Sequence, residues 1–355
     1  MAKYHLNPLR SPYPVHWLED KTSPKPIIYF SGILGKQGNG SDEEMAEKII
    51  HRKTGLRHRC LSSSYIIDEK RCKIAMDYLL GQKVGIFLDS GAFTLQKSMC
   101  RWKDPVNMED LQEFCDYYCD VLHVYGHRVD WYASVDFRRN TEATAIGQAL
   151  MHERGWKPTP VFHCNNDIGY FQEYLDAGAP LIAIAKPLRN PGQGLTIKSK
   201  KHYRQAYDQI FNLIAQGGYK VALHGLAQTG VMMFDYPWYS VDSTSWAVGS
   251  KAGSLLDIDP IRHKISTIYI APKLEAEKKE GGSLEGTGSN YLWRHMPKSL
   301  REPILARAAK WDLTEKDLLE DYISRDVYNI RVYLEAIQLQ QHKPASGGCK
   351  WQTLI

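Results

Sequence analysis

Apolar and β-branched residues gather into short runs along the chain: Ile27 to Ser31 (IIYFS), Val84 to Asp89 (VGIFLD), Val129 to Asp136 (VDWYASVD), Pro160 to His163, Leu181 to Lys186 (LIAIAK), Val221 to His224, Trp238 to Asp242 (WYSVD) and Ile265 to Ile270. Runs of this length, bounded by polar residues, read as strands buried on both faces. Between them lie stretches with helical spacing. Ser41 to Arg52 opens with Ser-Asp-Glu-Glu, an N-cap followed by an acidic first turn, and Met108 to Tyr125, Thr141 to Arg154 and Lys198 to Ala215 repeat apolar residues every three to four positions. This alternation predicts a parallel sheet covered by helices, and about eight runs is the number that closes a TIM (β/α)8 barrel. The first crossover is too long for one helix, and Cys60 to Ile67 within it reads as an extra strand, so the count is eight or nine.

After Ile270 the pattern breaks into EAEKKEGGSLEGTGSN, a charged, Gly/Ser-rich stretch of linker composition. Helical spacing resumes over Leu300 to Ala309 and Thr314 to Gln341. The expected organisation is therefore a barrel domain over 1–270, a flexible linker over 271–290, a small helical C-terminal subdomain over 291–341 and a loose tail over 342–355.

Composition changes this picture little. The 355 residues are 43% apolar and 24% charged, as in globular proteins, and leave room for a large core. A net charge of +5 permits a polyanionic partner but falls short of a dedicated nucleic-acid binder. The N-terminus MAKYHLNPLRSPYP has no apolar core of a signal peptide, and no run approaches membrane-span length, so a cytoplasmic location is expected. The 7 cysteines form an odd set with no C-x-x-C pair and read as reduced thiols. Cys115 and Cys119, one helical turn apart, read as helix packing.

In a TIM barrel the chemistry sits at the C-terminal ends of the strands. Run after run here ends in a functional group: Ser31, Asp89, Asp136, His163, Lys186, His224 and Asp242. One such residue is commonly a turn or cap; seven together predict a site. In DSGAF, Asp89 is followed by Ser90, by Gly91 where a ligand can approach the backbone, and by the aromatic face of Phe93, which suits a flat heterocycle. In SVDSTSW, Asp242 is followed by Ser243, Thr244 and Ser245, whose hydroxyls either orient it or form an N-cap with an ST-turn.

These segments, in this order from Ile27 to Trp246, resemble the tRNA-guanine transglycosylase superfamily, and more closely its phage and bacterial branch that installs 7-deazaguanines in DNA. Asp89 in DSGAF matches the proton-shuttling aspartate of the family's D-S-G-G-[FY]-Q motif, with Phe93 at the stacking position. Asp136 in YASVDF matches a second base-reading aspartate, and Asp242 in VDSTSW matches the nucleophile. The preceding LHGLAQTG, with His224 and Gly225, is similar to the family's L-M-G-V-G stretch. The chain departs from the tRNA branch in lacking its C-x-C-x-x-C zinc cluster, since only Cys349 follows Asp242, and in reading Ala185-Lys186-Pro187 where that branch has a Gly-Gly-Leu-Ala turn. His163 stands where the branch has Gln, and His224 where it has the Met that sandwiches the base. The resemblance implies exchange of guanine in DNA for a 7-deazaguanine base of the 7-cyano type, by double displacement through Asp242, with no metal or other cofactor. Asp136, Ser90, Gly91, Phe93, His163, Lys186, His224 and Gly225 are the expected base contacts.

A base cannot react while stacked in a duplex, so a basic surface must hold the opened strand. Arg52, Lys53, Arg57 and Arg59, and Lys198, Lys200, Lys201 and Arg204, are the candidate phosphate contacts, and Tyr236-Pro237-Trp238-Tyr239 either stacks on flanking bases or packs at the barrel mouth. tRNA is the alternative substrate. A metal-dependent barrel hydrolase using His163, His224 and the aspartates is a second class, but IIYFSG lacks the H-x-H pair it needs; a barrel that only binds nucleic acid is a third.

Overall fold

The computed structural model describes residues 26–31, 40–62, 76–82, 84–91, 107–137, 141–164, 167–185, 200–259, 264–270 and 290–339. Eight strands make up the main sheet: β1 (Ile27–Ser31), β2 (His58–Ser62), β3 (Gly85–Asp89), β4 (Trp131–Tyr132), β5 (Val161–His163), β6 (Leu181–Ala185), β7 (Ala222–Leu226) and β8 (Ser240–Ser243). They lie in the order β4-β3-β2-β1-β8-β7-β6-β5, and every pairing between them is parallel. The two ends of the sheet meet. Ala133 bridges Thr159 in parallel, Ser134 N–H donates to Thr159 O at 2.8 Å, and Thr159 N–H donates to Tyr132 O at 2.9 Å. The sheet therefore curls into a TIM-like α/β barrel.

Alternation along the strands sorts side chains to two faces. Tyr29, Cys60, Phe87, Trp131, Ala183 and Ala222 point inward as one apolar cluster, with Phe87 and Trp131 stacked at 3.7 Å between ring centroids. Ile28, Phe30, Ile182, Ile184, Leu223 and Val241 point outward to the covering helices. Those helices are α1 (Gly40–Thr54), α2 (Met108–Tyr125), α3 (Thr141–Glu153), α4 (Ile168–Asp176) and α5 (Lys200–Gly217). In α2 the Asn107 side chain caps the first turn by accepting from Glu109 N, and Leu111, Phe114, Cys115, Tyr118, Cys119 and Leu122 form the stripe that packs on Ile86 and Leu88. The raised thiol pKa of Cys115, first through burial, fits this packing role.

Three features differ from the sequence reading. The barrel's second strand is His58–Ser62, which shares residues 60–62 with the extra strand expected over Cys60 to Ile67, the rest of that run lying outside the described residues, whereas the Ile265 to Ile270 run is not a barrel strand. It forms β10 (Lys264–Tyr269), which pairs antiparallel with β9 (Ser254–Asp259) and parallel with β11 (Asn290–Leu292) in a separate three-stranded sheet. The short helix α4 falls on residues given no helical reading, and α6 (Ser245–Lys251) starts at the N-cap with an ST-turn that the hydroxyls after Asp242 offer as an alternative. The C-terminal stretch, after α7 (Lys298–Ala309), divides into α8 (Glu315–Glu320) and α9 (Tyr322–Leu339). Thr314 and Asp317 make a capping box for α8, and extended Asp321 then caps α9 by accepting from Ile323 N and Ser324 N.

The C-terminal helices share the barrel's outer core. Val327, Tyr328, Ile330 and Tyr333 of α9 belong to the same cluster as Phe30 and Trp246, and Asn329 donates to Trp246 O at 3.0 Å while accepting from Leu256 N at 2.8 Å. The expected linker, all but its last residue, and the expected tail lie outside the described residues. Among the described residues no helix is long and apolar enough to cross a membrane.

Candidate active site at the strand ends

Asp242 occupies the inward face of β8, next to β1, with Tyr29 as its register partner. Its carboxylate collects three donors from three parts of the chain. Ser31 Oγ, at the end of β1, donates to Oδ2. The Ala227 N–H donates to Oδ1 at 2.7 Å, and His224 Nε2 lies 3.3 Å from the same oxygen. Ala227 has φ +54, a left-handed conformation that a residue with a Cβ rarely adopts and that turns its amide toward the carboxylate.

His224 lies one layer below. Its Nδ1 is 2.8 Å from Ser240 Oγ, and its ring meets Trp131 edge-on at 4.6 Å and Phe87 at 4.8 Å. Burial holds its pKa below the usual value, against an opposing pull from Asp242, so the ring is neutral at pH 7. A fully buried ring enclosed this way has no face for a base, so the stacking role expected of His224 is not the one its geometry provides.

Asp89 ends β3 in a contrasting environment. Burial, followed by the nearby carboxylates of Asp136 and Asp242, pushes its pKa up to about 8, while the backbone N–H groups of Gly91 and Ser90 pull the other way. Gly91 adopts φ +77, which glycine accepts without strain. Asp136, just past β4, accepts from Ser90 Oγ at 3.3 Å and has His163 Nε2 3.3 Å from its other oxygen. That second contact is close but not aligned as a hydrogen bond, and neither nitrogen of buried His163 has a hydrogen-bond partner. Cys60, on the inner face of β2, bonds to Ser31; burial, then Asp242 and Asp89, raises its thiol pKa. Cys60 opens the run expected as an extra strand, but that run alone did not mark it as facing the carboxylates.

Several expected contacts fall elsewhere. The hydroxyls after Asp242 do not orient it: Ser243 Oγ donates to Ser245 Oγ at 2.9 Å, and Ser245 pairs with Tyr333 of α9 at 3.1 Å. Gly225 is buried and packed, since a Cβ there would meet Gln228 Cβ at 2.7 Å. Arg59 points outward from β2 into a closed site, ion-paired with Glu47, donating to Phe30 O at 3.2 Å and lying 5.2 Å over the Trp246 ring. Both partners are 0% exposed, so Arg59 holds the fold and cannot reach a phosphate. Arg52, Lys53 and Arg57 lie where α1 ends and β2 begins, at the barrel end opposite the carboxylates. Tyr236, Trp238 and Tyr239 are buried, Tyr236 stacked on Phe211, which makes the aromatic stretch packing rather than a stacking platform. Lys200, Lys201 and Arg204 open α5 on the carboxylate side, with Arg204 ion-paired to Asp235. Phe93, Lys186 and Lys198 lie outside the described residues.

Among the described residues no group of three or more His, Cys, Asp or Glu side chains is placed to hold a metal ion. No protein-family model and no curated protein matches the chain. Two carboxylates in opposed environments, one surrounded by donors and one with a raised pKa, are suited to nucleophilic attack and to proton transfer respectively.

Proposed function

We propose that the chain exchanges a purine base in a nucleic acid, replacing guanine with a 7-deazaguanine through a covalent intermediate on Asp242. The observation that carries this reading is the convergence of Asp242, Asp89 and Asp136 at the strand ends, with donors on the first and a pKa of about 8 on the second. In the first displacement the bond from C1′ to the guanine nitrogen breaks, a bond from C1′ to Asp242 forms, and the leaving guanine takes the proton of Asp89. In the second, the incoming base gives a proton to Asp89 and attacks C1′, releasing Asp242. Two inversions at one carbon retain the sugar configuration. Asp136 accepts from N–H groups on the base edge.

DNA is the favoured substrate because the DSGAF and SVDSTSW forms resemble the DNA branch, and Lys200, Lys201 and Arg204 stand on the side from which a flipped nucleotide would enter. The test is nucleoside mass spectrometry on DNA and, separately, tRNA from cells that make 7-cyano-7-deazaguanine and express the protein or its Asp242→Ala variant. A deazaguanine deoxynucleoside present only with the unmutated protein is the expected result. Modification confined to tRNA would reassign the substrate, and modification in neither pool would refute the reading.

A further inference from the structure

We propose that Ser240 and His224 act as a positioning pair, in which Ser240 fixes the His224 ring with its proton on Nε2 and His224 thereby aims the carboxylate of Asp242. The register of β7 against β8 sets His224 beside Ser240, and Ser240 precedes Asp242 by two residues on the same inward face. An ionised carboxylate only accepts, so the nitrogen facing Asp242 Oδ1 at 3.3 Å is the protonated one. A neutral ring then has its lone pair on Nδ1, where Ser240 O–H donates across 2.8 Å. Trp131, Phe87 and Tyr29 meet the ring edge-on, so it can neither turn over nor reach a substrate. With Ala227 N–H also on Oδ1 and Ser31 on Oδ2, the contact from His224 restricts the carboxylate to one rotamer.

The catalytic part rests on the base-exchange reading; the tautomer does not. The test has two arms, both on the full-length protein. Nitrogen-15 NMR of the 13 histidines, with His224 assigned from His224→Gln, is expected to show a neutral Nε2–H ring near pH 7, and a mixture of tautomers in Ser240→Ala. An Nδ1–H or charged ring, or an unchanged spectrum in Ser240→Ala, overturns the pair. In base-exchange kinetics, His224→Met is expected to lower kcat by about ten- to a hundredfold, the scale of one lost bond to a charged acceptor. KM for the free base should stay within about twofold, and His224→Gln, which keeps an N–H at similar reach, should restore most of the loss. A rise in KM at unchanged kcat would place the ring on the base instead and refute the assignment. If His224→Met does not fold, Ser240→Ala carries the kinetic arm, with a smaller fall in kcat and the same unchanged KM. Should the unmutated protein exchange no base, the base-exchange reading fails, and the NMR arm alone decides the pair.

Discussion

Replacing Asp89 with Asn removes a group whose affinity for a proton rises on folding. The pKa rises from 3.8 to about 8, so between these values the folded protein holds a proton that the unfolded chain has released. Stability must then fall as pH rises, by at most about 1.4 kcal/mol per unit. Below the lower value both states are protonated and nothing changes; above the upper one both are ionised and the penalty is complete. Over the roughly two units from pH 5 to pH 7 the limit is about 2.7 kcal/mol, which sharing of the charge with Asp136 and Asp242 reduces to about 1–2 kcal/mol. Asn cannot ionise, so Asp89→Asn should gain that amount on the wild type across this interval. Asp326, raised to about 8 chiefly by burial, titrates in the same window but is present in both proteins and cancels in the difference. Urea denaturation at several pH values measures the two curves. If they run parallel, the proton is not on Asp89 and the acid–base role assigned to it fails.

Three other sets of substitutions test separate parts of the structure. Gly225→Ala places a Cβ 2.7 Å from Gln228 Cβ and 3.3 Å from Trp238 Cε3, and should cost about 1–3 kcal/mol in thermal unfolding; a neutral result would mean that the turn after β7 is looser than described. Glu47→Gln breaks an ion pair with both partners fully buried and should destabilise by about 3–5 kcal/mol in urea, more than replacing both Glu47 and Arg59 with apolar residues of similar volume. Arg204→Glu should weaken binding of single-stranded DNA and flatten its salt dependence in fluorescence anisotropy, whereas Arg52→Glu and Arg57→Glu, at the opposite end of the barrel, should leave both unchanged. Equal effects from the two ends would contradict the placement of the nucleic-acid path.

The barrel was legible because both faces of its strands are buried, which turns most of them into unbroken apolar runs. The second strand shows only in part, as the start of the extra run over Cys60 to Ile67. His58-Arg59-Cys60-Leu61-Ser62 carries a charge on its outer face, which Glu47 of α1, the Phe30 carbonyl and the Trp246 ring make tolerable. The reverse holds at Ile265 to Ile270, where an apolar run signals a buried strand but not which sheet buries it; its partner, Ser254–Asp259, is broken by Asp257 and does not stand out as an apolar run. At the site, Asp89, Asp136 and Asp242 could be found from strand ends alone. Which strand-end group pairs with which could not: Ser31 and Asp242 are 211 positions apart, and the hydroxyls adjacent to Asp242 in sequence turn instead to α9. The histidine inside the Val221 to His224 run was visible, but whether its ring faced a ligand or the barrel interior depended on Trp131 and Phe87 from other strands.

The electrostatic coupling between Asp89 and Asp242 also orders the proposed reaction in time. The negative charge of Asp242 is one of the causes that raise the Asp89 pKa, and it disappears when Asp242 becomes an ester with the sugar. Asp89 has by then passed its proton to the departing guanine, so its new charge arises as a repelling neighbour is neutralised. In the second displacement Asp242 regains its charge, the proton affinity of Asp89 rises again, and the proton of the incoming base has a place to go. Isolated from Asp242, Asp89 would need a fixed pKa that compromises between giving and taking a proton. Placed within reach of one another at the same barrel mouth, each step of the covalent chemistry at Asp242 resets Asp89 for the proton transfer that accompanies it.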